Sequence, residues 1–346
     1  MKADNLIKRI VAKQFCIVGL ALMVASCNEI LDNNYGDCSV EYRVKFKYDM
    51  NLKYADAFAH EVTSVTLYAF DENGKFVYQR TEQGEILKAD NYSMPVEIAP
   101  GNYELVAWGG LEDQQSFSVP ILQPNVSTLE TLTCSMNRKH VGRIADGSAY
   151  IDAELKPLFH GHIQKQAFSR ASSQKIVTIN LTKNTNSVRI ILQELSGNSV
   201  NPDDFIFTID DENGLMDYKN SLIEDEPIKY FAWHKDNGTA GIDDAVKASR
   251  TANNLAIAEL TVGRLVKEKN PILTIKNKVG EKVLSIPLID YALLIKGYYN
   301  KNMDDQEYLD RQDEYNMTFF LNNGKWVSSS IIINGWKVVF NDADLK

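Results

Sequence analysis

The chain has 346 residues, with 37 lysines and arginines against 46 aspartates and glutamates and a formal net charge of −9 at pH 7. Binding to a phosphate backbone needs a basic surface, so this balance argues against a nucleic-acid partner. The length exceeds what one hydrophobic core usually fills, and it predicts two domains.

The first 26 residues have the pattern of a signal peptide. A basic start leads into the apolar run FCIVGLALMVA, residues 15–25, which is too short to span a bilayer. Small residues, Ala25 and Ser26, stand immediately before Cys27, and this arrangement resembles the lipobox of bacterial lipoproteins. Cleavage there would make Cys27 the first residue of the mature chain and the site of its lipid. An ordinary signal peptide with an incidental cysteine is the alternative.

After an acidic tether, residues 27–37, the chain reads as a series of strands. Apolar and charged residues alternate along VEYRVKFKY, residues 40–48, with the period of a half-buried strand. Asn73-Gly74 predicts a hairpin turn between two apolar runs, because Asn-Gly tolerates the positive φ that such turns need. Further strands are predicted over 96–108, interrupted at Pro100-Gly101, and over 126–134. We expect an N-terminal β-sandwich domain over 38–164.

Residues 165–174 are polar and lack periodicity, so the linker is predicted there and a C-terminal domain over 175–346. The tetrad Asp-Glu-Asn-Gly occurs at 71–74 and again at 211–214, and this weak repeat favours two related β-sandwiches. A calcium loop is the alternative, but the spacing of its ligands is missing. The second half is predicted to contain strands over 175–181, 187–195 and 205–209, a mobile polar loop over 234–250 and a short helix over 303–315.

The sequence contains no motif that predicts catalysis. There is no nucleophile elbow, no HExxH and no paired-acid motif, so we predict no catalytic residue, no metal site, no cofactor and no enzyme activity. His160 and His162 alternate on a predicted strand, as a metal pair would, but no cysteine or carboxylate accompanies them locally in the sequence. We expect the two histidines at an exposed domain edge.

Two cysteines remain in the mature chain once Cys27 carries a lipid and the signal peptide is removed. Cys38 and Cys134 form an even pair, which in an oxidising compartment predicts one disulfide. Two isolated buried thiols are the alternative.

The C-terminus contains the apolar stretch IIINGWKVVF, residues 331–340, which predicts a strand. Bare strand edges invite association, so this strand is either paired within its own domain or offered to a partner by strand addition. Trp336, Val338 and Phe340 are the candidate partner-binding residues.

Six segments, in this order after a lipobox, resemble the fimbrial anchor lipoproteins of Bacteroidetes type V pili, the FimB/Mfa-type family. They are CSVEYRVKFKYDMNLKYADAF, VTLYAFDENGKFV, IAPGNYELVAWGGL, PLFHG, QEYLDRQDEYNMTFFL and IIINGWKVVF. The resemblance implies an all-β protein of two tandem transthyretin-like, Ig-like Greek-key β-sandwich domains. It also implies a lipid anchor in the outer membrane, exposure at the cell surface, and a non-catalytic place at the base of the fimbrium.

The same resemblance implies a partner, the major fimbrial stalk subunit, and a limit on fimbrial length. In related stalk subunits a protease cuts after an arginine of the N-terminal segment, whereas residues 28–42 here contain no Arg or Lys. The absence of such a cleavage site is what we expect of an anchor, because cleavage there would release it from the membrane. The alternative function is a surface glycan-binding lipoprotein, which would need exposed aromatic platforms. The candidate platforms are Trp108, Trp233, Trp326 and Trp336, with Trp108 and Trp336 expected in the core.

Overall fold

The computed structural model describes residues 41–112, 115–144, 147–169, 174–196, 198–240, 253–294, 296–297, 300–333 and 336–341. The predicted signal peptide, the lipidation site Cys27 and Cys38 lie outside these residues. By its contacts the chain divides into a unit of residues 42–169 and 176–346 and a second of residues 1–41 and 170–175. The architecture described below is that of the first unit. No helix among the described residues is long and apolar enough to cross a membrane.

The fold is built almost entirely from strands. In the first half these are β1 (Glu41–Lys47), β2 (Ser64–Phe70), β3 (Phe76–Gln83), β4 (Met94–Val96), β5 (Gly101–Gly109), β6 (Phe117–Ser118), β7 (Cys134–Met136), β8 (Ala149–Ile151) and β9 (Phe159–Phe168). In the second half they are β10 (Gln174–Asn180), β11 (Thr182–Lys183), β12 (Thr185–Glu194), β13 (Phe205–Asp211), β14 (Leu215–Met216), β15 (Ile228–Phe231), β16 (His234–Ala240), β17 (Asn253–Gly263), β18 (Ile272–Asn277), β19 (Lys282–Pro287), β20 (Glu314–Asn322), β21 (Lys325–Ile333) and β22 (Trp336–Asn341).

Helices are few and short in the described part of the chain. The α-helices are α1 (Phe58–Glu61), α2 (Leu288–Leu294) and α3 (Asp305–Arg311), and 3₁₀ helices occupy Gly84–Lys88, Leu129–Thr131 and Pro202–Asp204. Helix α3 confirms the short helix predicted over 303–315. Its N-cap residue is Asp304, whose carboxylate accepts hydrogen bonds from the backbone N–H groups of Gln306 and Glu307.

Two sheets form the first β-sandwich. Their strand orders are β10-β1-β4 and β11-β9-β5-β2-β3. The alternation predicted for β1 is confirmed, since Tyr42, Val44 and Phe46 are all at most 2% exposed while the intervening residues reach solvent. The predicted hairpin is also present. At its turn Gly74 has φ +71°, and the Asp71 carboxylate accepts hydrogen bonds from the backbone N–H groups two and four residues later.

Two larger sheets form the second half of the molecule, with strand orders β16-β17-β12-β20-β21-β22 and β19-β18-β13-β15-β8. Strand β8 comes from the first half of the chain and lies parallel to β15. A small sheet, β14-β7-β6, also joins strands from both halves. One continuous buried cluster extends from Tyr68 and Trp108 to Phe319 and Leu321.

The predicted linker does not mark the change from one group of sheets to the other. Residues 165–168 belong to β9, and the two strands that follow, β10 and β11, still pair within the first sandwich. The first strand that pairs outside the first sandwich after this segment is β12, which follows Lys183. Lys165 and Gln166 of this segment lie at the solvent-exposed end of β9, which accounts for their polar character, and residues 170–173 lie outside the described residues.

Two other predicted elements differ from the structure. Residues 126–134 were predicted as a strand, but they contain a 3₁₀ helix and turns, and β7 begins only at Cys134. The predicted polar loop over 234–250 begins with strand β16, which covers His234–Ala240 and pairs with β17. Because β16 is an edge strand, polar side chains are compatible with its position. The rest of that predicted loop lies outside the described residues.

Candidate functional site

The C-terminal strand β22 is the first candidate site. It pairs antiparallel with β21, from Ile333 opposite Trp336 to Ser328 opposite Asn341, and β21 pairs in turn with β20. The apolar stretch predicted as one strand therefore contributes to two. The sequence signal for this hairpin is Asn334-Gly335, which favours a two-residue turn. Strand β22 is the last strand of its sheet, so one side of it has no strand partner among the described residues.

The backbone register brings the three predicted partner-binding positions into alternate places along β22. Val338 pairs with the β21 residue that in turn pairs with Met317 on β20, and Phe340 is related to Phe319 in the same way. Both β20 residues are fully buried. Trp336 continues the same alternation at the start of the strand. This arrangement matches the internally paired alternative of the sequence analysis.

A cluster of charges lies where the first sandwich meets the six-stranded sheet. The ammonium group of Lys183, on β11, lies 3.0 Å from a carboxylate oxygen of Glu61 and 2.6 Å from one of Asp313. Burial acts to lower the pKa of Lys183, but the charges and hydrogen bonds of Asp313 and Glu61 outweigh it and raise the pKa above its ordinary value. Lys183 therefore remains charged and holds α1 and the start of β20 together.

The arginine at the end of α3 reinforces this junction. The Arg311 guanidinium donates hydrogen bonds to the backbone carbonyls of Asp49 (3.0 Å) and Asn51 (3.3 Å). It also lies 4.3 Å from the ring centroid of Tyr54. These contacts fix the loop after β1 to the helix before β20. The residues in these contacts are more than 250 positions apart in the sequence, so no local pattern could predict the contacts.

His160 and His162 are not at an exposed edge. His160 is 5% exposed and its Nε2 lies 2.9 Å from the carbonyl oxygen of Tyr218; burial lowers the pKa of His160 to about 3. His162 Nε2 lies 2.7 Å from Glu104 Oε1. The expectation of an exposed edge was wrong because β9 is covered at this point. Within the described residues, no three His, Cys, Asp or Glu side chains are arranged as a metal site.

Cys134 lies in the core. Its side chain is fully buried and its thiol is free in this structure, and burial raises the pKa of that thiol well above the ordinary range. Because Cys38 lies outside the described residues, the bridge between the two cysteines stays a prediction.

The tryptophans occupy different environments. Trp108 is fully buried, which confirms its predicted core position, whereas Trp233 and Trp326 are half-buried. The side chain of Trp336 lies outside the described part of the structure.

Comparison with known proteins agrees with this architecture. The family described as fimbrillin-A associated anchor proteins Mfa1 and Mfa2 matches residues 35–342. The minor fimbrium anchoring subunit Mfa2 of Porphyromonas gingivalis is 28% identical over 108 residues, which are 31% of this chain and 33% of that protein. The alignment thus spans about a third of the curated relative's length.

Solved structures cover more of the chain. A candidate adhesin from Bacteroides thetaiotaomicron is 33% identical, with a TM-score of 0.75 over 87% of this chain and 97% of that one. A candidate polysaccharide binding protein from the same species is 32% identical, with a TM-score of 0.73 over 88% and 99%. The fimbrial anchor protein Mfa2 of P. gingivalis, 15% identical over 87% and 99%, has a TM-score of 0.61 and shares the fold. This all-β chain therefore belongs to the family of fimbrillin-A associated anchor proteins Mfa1 and Mfa2.

Proposed function

We propose that this chain is a non-catalytic outer-membrane lipoprotein that anchors a type V fimbria at its base. The observation that carries the proposal is the family match over residues 35–342, directly behind a lipobox-like sequence that ends at Cys27. In this proposal the protein is exposed at the cell surface as part of the fimbrium. It holds the first stalk subunit and thereby limits the length of the filament.

Attachment to the membrane rests on Cys27. A lipid contributes about 0.8 kcal/mol per buried methylene, so a multi-chain anchor on this residue would hold the protein in the bilayer. Residues 28–42 contain no Lys or Arg, so a protease of trypsin-like specificity finds no site between the lipid and β1. Glu29 and Asp32 follow the lipid site and resemble acidic signals that direct lipoproteins to the cell surface.

Contact with the major stalk subunit is proposed at the outer edge of β22. An unpaired edge can add a strand from another chain, with main-chain hydrogen bonds giving affinity and alternate side chains giving specificity. Trp336, Val338 and Phe340 are the proposed specificity positions. Because β22 is already paired with β21, the partner adds to an existing sheet and does not receive a free tail.

A pair of cross-linking variants tests this contact. A photoreactive amino acid replaces Lys337 on β22 in one variant and Asp236 on β16 in the other, since β16 and β22 are the two opposite edges of the same sheet. On fimbriated cells we expect a covalent adduct with the stalk subunit from position 337 and not from position 236. Equal adducts from both positions, or none from position 337 while fimbriae remain attached, would contradict the proposed contact.

Deletion of residues 338–346 gives an independent readout. If β22 holds the stalk subunit, the truncated protein stays in the membrane while fimbriae are shed into the medium. A folded, truncated protein that retains fimbriae would exclude β22 as the binding edge.

A further inference from the structure

We propose that the outer face of the six-stranded sheet carries a binding groove for an uncharged saccharide, centred on Trp233 and Arg189. This activity is separate from anchoring and does not depend on it. The groove has a volume of about 330 Å³, at the lower end of the range for small-ligand sites and suited to one or two sugar rings. Its lining comprises Glu154, Ser187, Arg189, Trp233, Glu259, Glu314 and Asn316, with three apolar strand residues at its base.

The sheet register places the polar side chains of this groove in one row. Glu259 on β17 stands opposite Arg189 on β12, and Arg189 stands beside Asn316 on β20. Arg189 is exposed while its neighbours along β12, Val188 and Ile190, are buried, so the row lies on the solvent side of the sheet. Rigid strands therefore hold an array of planar polar groups across three neighbouring strands.

Trp233 forms one wall of the groove. Its backbone N–H donates a hydrogen bond to the carbonyl oxygen of Glu259 (3.0 Å), which fixes its position beside the row. Trp233 is half-buried, with its ring centroid 5.6 Å from that of His234, so part of the residue remains open to a ligand. An aromatic ring offers an apolar surface to the C–H face of a sugar, and the ring edge keeps a polar group for hydrogen bonding.

The polar row supplies what the hydroxyl groups of a sugar require. A guanidinium only donates, a carboxylate only accepts, and an amide does both, so Arg189, Glu259 and Asn316 together match neighbouring hydroxyls that both donate and accept. The Arg189 Nε and Glu259 Oε1 form an ion pair at 3.6 Å, which holds the two groups beside each other while both side chains keep contact with solvent.

Charge decides the class of saccharide. Three carboxylates, Glu154, Glu259 and Glu314, line the groove with one guanidinium, and Glu154 is also paired with Lys156 (3.5 Å), so one net negative charge remains. The excess of negative charge disfavours sialylated, sulfated and uronic-acid sugars, and also phosphate. A neutral glycan is therefore the ligand that fits the site.

A glycan array probed with the full chain purified from membranes in detergent tests the proposal. The array carries neutral oligosaccharides of glucose, galactose, mannose and N-acetylglucosamine beside sialylated and sulfated ones. We expect binding to at least one neutral oligosaccharide and a change in tryptophan fluorescence on titration with it. Trp233→Ala and Arg189→Ala should each weaken that binding by about tenfold.

Gln193→Ala is the matched control, since Gln193 lies on the same strand and outside the groove. It should bind as the wild type does. Trp233→Phe keeps an aromatic surface and should retain part of the affinity while losing the fluorescence change, and Asn316→Ala repeats the test on another strand. Absence of binding to every neutral oligosaccharide, preference for the acidic ones, or unchanged affinity in folded Trp233→Ala would each overturn the proposal.

Discussion

Replacing Lys183 with methionine tests the junction between the first sandwich and the six-stranded sheet. The variant removes an ammonium group that lies within 3.0 Å of Glu61 and 2.6 Å of Asp313. The two carboxylates then remain close together without a counter-charge. Breaking a fully buried ion pair costs about 3–5 kcal/mol, whereas an exposed pair contributes about 0.2–1 kcal/mol.

The exposure of the three side chains places Lys183 between these limits. They are 17% exposed in Lys183, 38% in Glu61 and 27% in Asp313, so water screens the carboxylates in part. We expect Lys183→Met to lower the free energy of unfolding by about 2 kcal/mol. For a protein of this size the melting temperature should fall by about 3 °C, measured by circular dichroism.

The pH dependence and two further variants distinguish this network from a simple packing effect. The pKa of Lys183 is raised in the folded state, so its contribution is fully present below the ordinary lysine pKa of about 10.5 and is lost as pH rises through the raised value. The difference between wild type and variant should therefore be the same at pH 7 and pH 9. Exposed Lys282, replaced by methionine, is the control and should change stability by less than about 0.5 kcal/mol.

The charge argument also predicts a rescue. Adding Glu61→Gln and Asp313→Asn to Lys183→Met removes the unpaired carboxylates and should recover at least half of the lost stability. If Lys183→Met is as stable as the wild type, or if the triple variant is no more stable than the single one, the network does not hold the junction.

Three other predictions concern the thiols and the buried histidine. Cys27→Ala should abolish incorporation of labelled fatty acid and move the protein from the membrane to the soluble fraction; continued labelling would exclude Cys27 as the lipid site. Cys38 and Cys134 should appear as linked peptides in a non-reducing tryptic digest, and complete alkylation of both without reductant would refute the bridge. The pKa of His160 is lowered to about 3, so its contribution to stability is present above about pH 6.5 and is lost as pH falls, by up to about 1.4 kcal/mol per pH unit. His160→Gln should flatten the fall in melting temperature between pH 6 and pH 4, and an unchanged profile would show that His160 does not cause it.

Local patterns predicted those parts of the fold that local interactions determine. Neighbouring residues account for the alternation along β1, for the Asn-Gly turn after β2 and for helix α3, which Asp304 caps. Strand β16 was missed because an edge strand with one open side tolerates polar residues, and its sequence resembles a loop. The hairpin of β21 and β22 was missed although Asn334-Gly335 is a turn signal, because the surrounding apolar run suggested a continuous strand.

Pairing between residues that are distant in the chain could not be predicted from the sequence. No local pattern shows that β8 pairs with β15, or that Lys183 meets Glu61 and Asp313, which lie 122 and 130 residues away. The saccharide groove depends on the same kind of pairing, since its row of polar side chains exists only in the register of three separate strands. Trp233 was recognised as a candidate platform, but its neighbours were not.

The most direct test of the anchoring role is to count fimbriae on cells and in the culture medium by electron microscopy, comparing wild type with Cys27→Ala at equal expression. If the protein anchors the fimbria through its lipid, the variant should leave few fimbriae on cells and many in the medium, and the shed filaments should be longer than normal. Fimbriae of normal length and number on cells carrying Cys27→Ala would contradict the account.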